Sequence, residues 1–200
     1  MLLYHGTSKK LVDDILKEGL KPRGEDKGNW YVNNIPSHPD LIYLTDQKWL
    51  TYFYALNCAV NTMSNGGCLL TIDTEFLDED KFRIDENYYT EIELDRTNAT
   101  NKAVPFEIRY DQLDRIASDK RWKESLSVCN ACSFKGVIPP TAIISTDYVD
   151  NEWNPLFRKE FVASSDVEAN LATIKVVLDT TGVFINTNTG ECCWEDRIST

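Results

Sequence analysis

The sequence predicts an α+β fold, and three observations carry that expectation. Short strand-like apolar runs at residues 2–4, 41–45 and 68–73 are interleaved with amphipathic helical stretches. The alternation is too irregular for a doubly wound sheet. No glycine-rich phosphate loop of either common type follows a strand. With 200 residues, 42% hydrophobic and 26% charged, the chain suffices for one domain with an appendage. The expected division is a domain over 1–154 and a C-terminal extension over 155–200 packed on it.

Residues 2–4, Leu-Leu-Tyr, read as a buried strand, and His5-Gly6-Thr7 breaks that run. Ser8 suits the N-cap of a helix carried by Leu11, Val12, Ile15 and Leu16. Gly19 stands where a left-handed C-cap residue belongs. The corner at His5-Gly6-Thr7 therefore offers an imidazole, a bare backbone and a hydroxyl. Lacking a Cβ, Gly6 is expected to let a ligand approach the main chain.

Residues 21–40 are rich in Pro, Gly, Asn and charge, a loop long enough to suggest a substrate-covering flap anchored by Trp30 or Tyr31. Residues 41–45 read as a strand, with Asp46 capping a helix over about 47–62. Asn65-Gly66-Gly67 reads as a turn, and 68–73 as a strand apolar enough to be central. Residues 77–84 read as acidic and irregular, 88–94 and 104–110 as strands, and 112–126 as a helix. Residues 131–137 and 142–145 read as further strands. In the tail, 166–179 has an amphipathic helical pattern capped by Ser165, and 182–185 a strand pattern.

Composition narrows the function. A formal net charge of −11 argues against a broad nucleic-acid footprint, which needs clustered Lys and Arg. Six cysteines fall at 58, 68, 129, 132, 192 and 193. Cys129 and Cys132 have zinc-ligand spacing, but Cys192-Cys193 is a poor second pair and only two histidines exist. Reduced thiols and no metal are expected. No apolar run reaches the length of a membrane span, and Met1 leads into a strand rather than a secretory signal. A cytoplasmic chain with no membrane partner is the expectation.

Two tyrosines complete a constellation with the first corner. Tyr43 lies in the second strand, and Tyr54 lies three helical turns further on. Together they can present two aromatic faces to one flat ring, worth about 0.5–1.5 kcal/mol beyond burial.

The ordered set LLYHGTS, ILKEGL, IYLTD and Tyr54-Ala55 resembles the ADP-ribosyltransferase superfamily of the His-Tyr-Glu type, in its poly-ADP-ribose-polymerase-like branch. The opening LYHGT also looks like the RNA 2′-phosphotransferase branch and the DarT-like toxins. The resemblance covers residues 1–73 and resumes at Phe134-Lys-Gly-Val-Ile-Pro-Pro-Thr-Ala-Ile143. It implies NAD held without a Rossmann fold, in a cleft of a split two-sheet core. His5 would bond the adenosine ribose, the Gly6 main chain with Thr7 beside it the nicotinamide amide, and Tyr43 with Tyr54 the nicotinamide ring. The chemistry implied is cleavage of the N-glycosidic bond through an oxocarbenium-like transition state, helped by a group on the 2-hydroxyl.

The chain departs from that pattern at its third element. Where a Glu is expected before Ile138-Pro-Pro, the sequence reads Val128-Cys-Asn-Ala-Cys. Three residues are candidates: Asn130, near the expected place; Glu124, the nearest upstream carboxylate; and Glu107, at a predicted strand start. The Arg and His of the phosphotransferase branch are missing, Asp40 and Tyr43 standing in their region. The expectation is a mono-ADP-ribosyltransferase using NAD on a macromolecular acceptor, protein before nucleic acid given the acidic charge. The alternative is a catalytically silent NAD-binding or protein-interaction member of the same fold.

Overall fold

The computed structural model describes residues 1–24, 37–86, 88, 114–151, 153–157, 180–186 and 192–194. Its fold is mixed α and β. Six strands form one antiparallel sheet: β1 (Leu2–Ser8), β2 (Leu41–Thr45), β3 (Gly66–Asp73), β4 (Phe82–Ile84), β5 (Ala131–Lys135) and β6 (Ile143–Asp150). Their order is β4-β5-β2-β1-β3-β6. Three helices accompany them: α1 (Val12–Glu18), α2 (Lys48–Asn61) and α3 (Trp122–Cys129). Beyond the sheet, β7 (Trp153–Phe157), β8 (Thr180–Asn186) and β9 (Cys192–Trp194) form a second sheet in sequence order, and α2 approaches β7 and β8. No helix among the described residues is long and apolar enough to cross a membrane.

The joint at the centre of the large sheet is weak. β1 pairs with β3 over its whole length, from Leu2↔Asp73 to Ser8↔Gly67. β2 pairs with β5 in the same continuous way, from Leu41↔Lys135 to Thr45↔Ala131. Between β1 and β2, however, the ladder holds a single pair, Tyr4↔Thr45. The sheet is thus two three-stranded halves, β4-β5-β2 and β1-β3-β6, hinged at one point.

The two faces are filled differently. Opposed residues of antiparallel strands share a face and alternate along the strand. Ile42, Leu44, Cys132 and Phe134 therefore look one way, into the main core with Val12 and Ile15 of α1 and Trp122 and Leu126 of α3. Tyr43, Thr45 and Tyr4 look the other way. On that second face α2 packs its Tyr52, Ala55 and Leu56 against Leu69. Tyr43 packs against a further cluster that includes Leu41, Ile84, Tyr88, Ile116 and Ala117.

Several local expectations need correction. β1 does not stop at Tyr4, because His5, Gly6 and Thr7 stay in register with β3. Ser8 makes no side-chain cap; it is buried and its hydroxyl has no partner among the described residues. Of the predicted apolar face of α1, Val12 and Ile15 are buried, whereas Leu11 and Leu16 are exposed. Asp46 does not cap α2, whose N-cap is Gln47; the Gln47 N–H is taken by Thr45 Oγ1 at 3.0 Å. Gly19 ends α1 with a positive φ of 90°, but its ψ of 160° is not left-handed helical. It is needed for space, since a Cβ there would lie 2.7 Å from the Ile138 carbonyl oxygen. Leu20 and Ile138 then exchange two main-chain hydrogen bonds of 2.9 Å.

Gly66 and Gly67 belong to β3 rather than to a turn, and residues 117–121 interrupt the helix expected over 112–126. A strand, β4, lies inside the stretch read as irregular. Residues 89–94, 104–110 and 166–179, including the expected strands and tail helix, lie outside the described residues. So do residues 25–36 with Trp30 and Tyr31.

Candidate functional site

Tyr43 is the hub of the site. It is half-buried at the middle of β2, on the face covered by α2, beside the split between the half-sheets. Both histidines of the chain reach it. His5, in β1, places Nδ1 2.9 Å from the Tyr43 carbonyl oxygen, bridging the half-sheets where the ladder has ended. The main-chain N–H of His38 donates to the Tyr43 hydroxyl at 2.7 Å.

The His5 contact fixes a tautomer. A carbonyl oxygen only accepts, so Nδ1 carries the proton. Burial pushes the imidazole down to about 4, so it is neutral at ordinary pH. Nε2 is therefore left as an acceptor, suited to a ligand hydroxyl.

The Tyr43 hydroxyl has a second partner that the sequence did not single out. It donates to the carboxylate of Glu86, which also accepts the His38 N–H at 3.1 Å. Burial raises this carboxyl to about 7, against the pull of its hydrogen bonds and of the Arg23 guanidinium. A phenol and a carboxyl titrating near neutrality, joined by one hydrogen bond, make a unit able to hold or pass a proton.

Glu86 was missed for a physical reason. It lies in an acidic stretch where any one carboxylate reads as solvated surface. The signal was the short alternation Phe82-Arg83-Ile84 just before it. That alternation forms β4, pairing with β5 through Arg83↔Ser133, one strand beyond Tyr43↔Ser133. β5 thus carries Arg83 to the level of Tyr43, with Glu86 three residues further on. The adjacent Asp85 is buried, with its N–H on Ser125 Oγ at 2.9 Å, and anchors this turn to α3.

The other expected residues are distributed as follows. Tyr54 is half-buried on α2, and burial, then the Asp85 carboxylate, raise its phenol. Gly6 faces α2: a Cβ there would lie 2.3 Å from the Thr51 carbonyl oxygen and 2.6 Å from the Ala55 nitrogen. The bare backbone expected to admit a ligand thus admits a helix on that side. Thr7 is buried in β1 opposite Cys68.

Asn130 is the left-handed residue closing α3, φ 56°, and its carbonyl accepts from Thr45 Oγ1 at 2.5 Å. Its main chain is committed to joining α3 to β2. Glu124 is exposed in the first turn of α3 and faces the Tyr88 hydroxyl rather than that of Tyr43. Glu107 lies outside the described residues.

Cys129 and Cys132 are buried in different clusters, Cys132 in the main core and Cys129 beside Tyr88. Among the described residues no group of three His, Cys, Asp or Glu side chains is arranged to hold a metal ion.

No protein-family model matches the chain, and no curated protein is significantly similar to it. The functional reading therefore rests on the geometry and on the motif resemblance.

Proposed function

We propose that the chain is a mono-ADP-ribosyltransferase that uses NAD and modifies a macromolecular acceptor. One observation supports it above the others: the His5 ring meets the Tyr43 main chain across the split in the sheet, and the half-buried Glu86 carboxyl accepts from the Tyr43 hydroxyl. The split itself accords with the cleft between two small sheets that the resemblance implies.

On this reading His5 Nε2 accepts a hydrogen bond from a ribose hydroxyl, and its neutrality spares the site a buried charge. The Tyr43 ring, with Tyr54 supplied by α2, orients the nicotinamide, which is the entropic part of the catalysis. The bond from the ribose carbon to the nicotinamide nitrogen breaks, its electron pair neutralising the pyridinium. Positive charge then develops on the sugar, where the ionised Glu86 stabilises it. An acceptor nucleophile closes the new bond to that carbon and gives up its proton, which the Glu86 carboxylate takes as base. Glu86 thus takes the role for which Glu107, Glu124 and Asn130 were candidates.

The test is incubation with NAD labelled in the adenylate, read as nicotinamide release and as label on a protein or nucleic-acid acceptor. Both are expected. NAD binding with no release would favour the catalytically silent alternative, and absence of NAD binding would end the reading.

A further inference from the structure

The segment entering the site carries a clamp that the proposed chemistry has not used. Arg23 is half-buried and grips Ser37 with two groups: Nε bonds Ser37 Oγ at 3.2 Å, and Nη2 donates to the Ser37 carbonyl oxygen. Beside it, the Gly24 N–H reaches the Pro39 carbonyl oxygen at 2.9 Å. Residues 23–24 are thereby stitched to 37–39. Between the two stitched points stands His38, the residue whose N–H touches both Tyr43 and Glu86. Its own ring is committed, Nδ1 accepting the Asp40 N–H at 3.1 Å, so the turn at 38–40 is closed from within.

We propose that Arg23 is a positioning residue for the Tyr43–Glu86 pair, acting through the main chain of Ser37 and His38. The planar guanidinium fork fixes the Ser37 peptide in direction as well as distance, which a single ammonium point charge does not. The same planar peptide carries the His38 N–H opposite the gripped carbonyl, and so presents it to the phenol and the carboxylate together. Arg23 also brings a positive charge to Glu86 and favours its ionised form. Glu86 is faced by Arg23 and the His38 main chain from this segment and by Tyr43 from β2. Asp85 adjoins it, and its charge bears on Tyr54 of α2 and Cys132 of β5; Asp40, Asp114 and Lys135 surround the His38 ring. Among these, Arg23 is the cation that acts on Glu86.

The consequence for turnover rests on the transferase reading; the consequence for Glu86 does not. The experiment uses the full chain with 13C-labelled glutamate, the Glu86 signal being assigned by its loss in Glu86→Gln. Removing Arg23 weakens both influences that favour the carboxylate, so in Arg23→Ala the Glu86 midpoint should rise by about half a unit or more. The midpoint of the pH profile for nicotinamide release should move with it. At pH 7 kcat should fall about threefold to tenfold while KM for NAD stays within about twofold, the pattern of a lost transition-state contribution. Arg23→Lys should restore the midpoint and leave kcat low, because it returns the charge without the fork.

An unmoved Glu86 midpoint with unchanged kcat in Arg23→Ala would overturn the proposal. If Arg23→Ala does not fold, Arg23→Lys decides, and a kcat equal to that of the unaltered protein overturns it. A midpoint that moves as expected in a protein that never binds NAD would uphold the clamp and remove the transferase reading.

Discussion

His5 and Tyr43 are joined ring to main chain, Nδ1 to carbonyl oxygen at 2.9 Å, at the point where β1 and β2 cease to pair. A side chain replaces the missing ladder bond. His5→Ala should therefore cost stability as well as affinity, about 1–2 kcal/mol for the carbonyl left without its donor. On the transferase reading NAD affinity should fall about tenfold or more as well, His5 being the proposed ribose partner. Thermal melting and a fluorescence titration with NAD measure the two effects. Because the imidazole titrates at about 4, neither effect should change between pH 6 and pH 9.

Tyr43 contributes through both ring and hydroxyl. A ring with one face open to a ligand would make Tyr43→Ala far cheaper than a core truncation. In the fold the ring packs on the cluster of Leu41, Ile84, Tyr88 and Ile116, and its hydroxyl donates to the half-buried Glu86 carboxylate. Tyr43→Ala should now destabilise by about 2–4 kcal/mol, toward the range of core truncations. Tyr43→Phe separates the parts: NAD binding should persist, while turnover at pH 7 drops because Glu86 loses a donor to its ionised form. Equal turnover in Tyr43→Phe and the unaltered protein would detach the hydroxyl from the chemistry.

Glu86 makes a signed prediction about pH. Its carboxyl titrates at about 7 when folded, above its ordinary 4.5. Between those values the folded protein holds a proton that the unfolded chain has released, so stability falls as pH rises through that window. The full loss is up to about 3 kcal/mol, from about 1.4 kcal/mol per unit. Denaturant midpoints from pH 4.5 to 8 should show this decline, and Glu86→Gln should flatten it. Nicotinamide release should run the opposite way, rising through pH 7 as the carboxylate forms. Stability and activity would then trade across one titration.

Gly6 tests the packing of the site's wall. A methyl at this position would meet the Thr51 carbonyl oxygen at 2.3 Å and the Ala55 nitrogen at 2.6 Å, backbone atoms that cannot step aside alone. Gly6→Ala should push α2 off β1, with a cost of about 2 kcal/mol or more. A melting temperature unchanged by Gly6→Ala would mean that α2 does not sit where it is described.

The parts of this fold that were legible share one property: their side chains alternate or cluster over five or more residues. β2 and β3 were clear because their apolar runs are continuous. β4 was not, being three residues long with an arginine at its centre whose guanidinium finds main-chain carbonyls, including that of Ala117 at 2.9 Å. His5 and Tyr43 stood out because motif order placed them. Glu86 depended on a strand pairing across the chain that no local pattern encodes. Gly6 was noticed for the right reason, close backbone approach, but the visitor is α2.

The order β4-β5-β2-β1-β3-β6 also constrains how the molecule is made. Each half-sheet draws its strands from both ends of the described domain: β1 and β3 wait for β6, and β2 waits for β5. Neither half can be completed from a contiguous stretch of chain. Nascent β2 emerges with one edge held to β1 by a single residue pair and the other awaiting a strand 90 residues downstream, Tyr43 to Ser133. Such long-range closure slows folding, because loop entropy is lost before contacts reward it. The half-made sheet meanwhile exposes open strand edges, the surfaces that invite pairing with another chain. A ribosome-bound chain truncated before β5 should therefore be a substrate for chaperones rather than a folded domain.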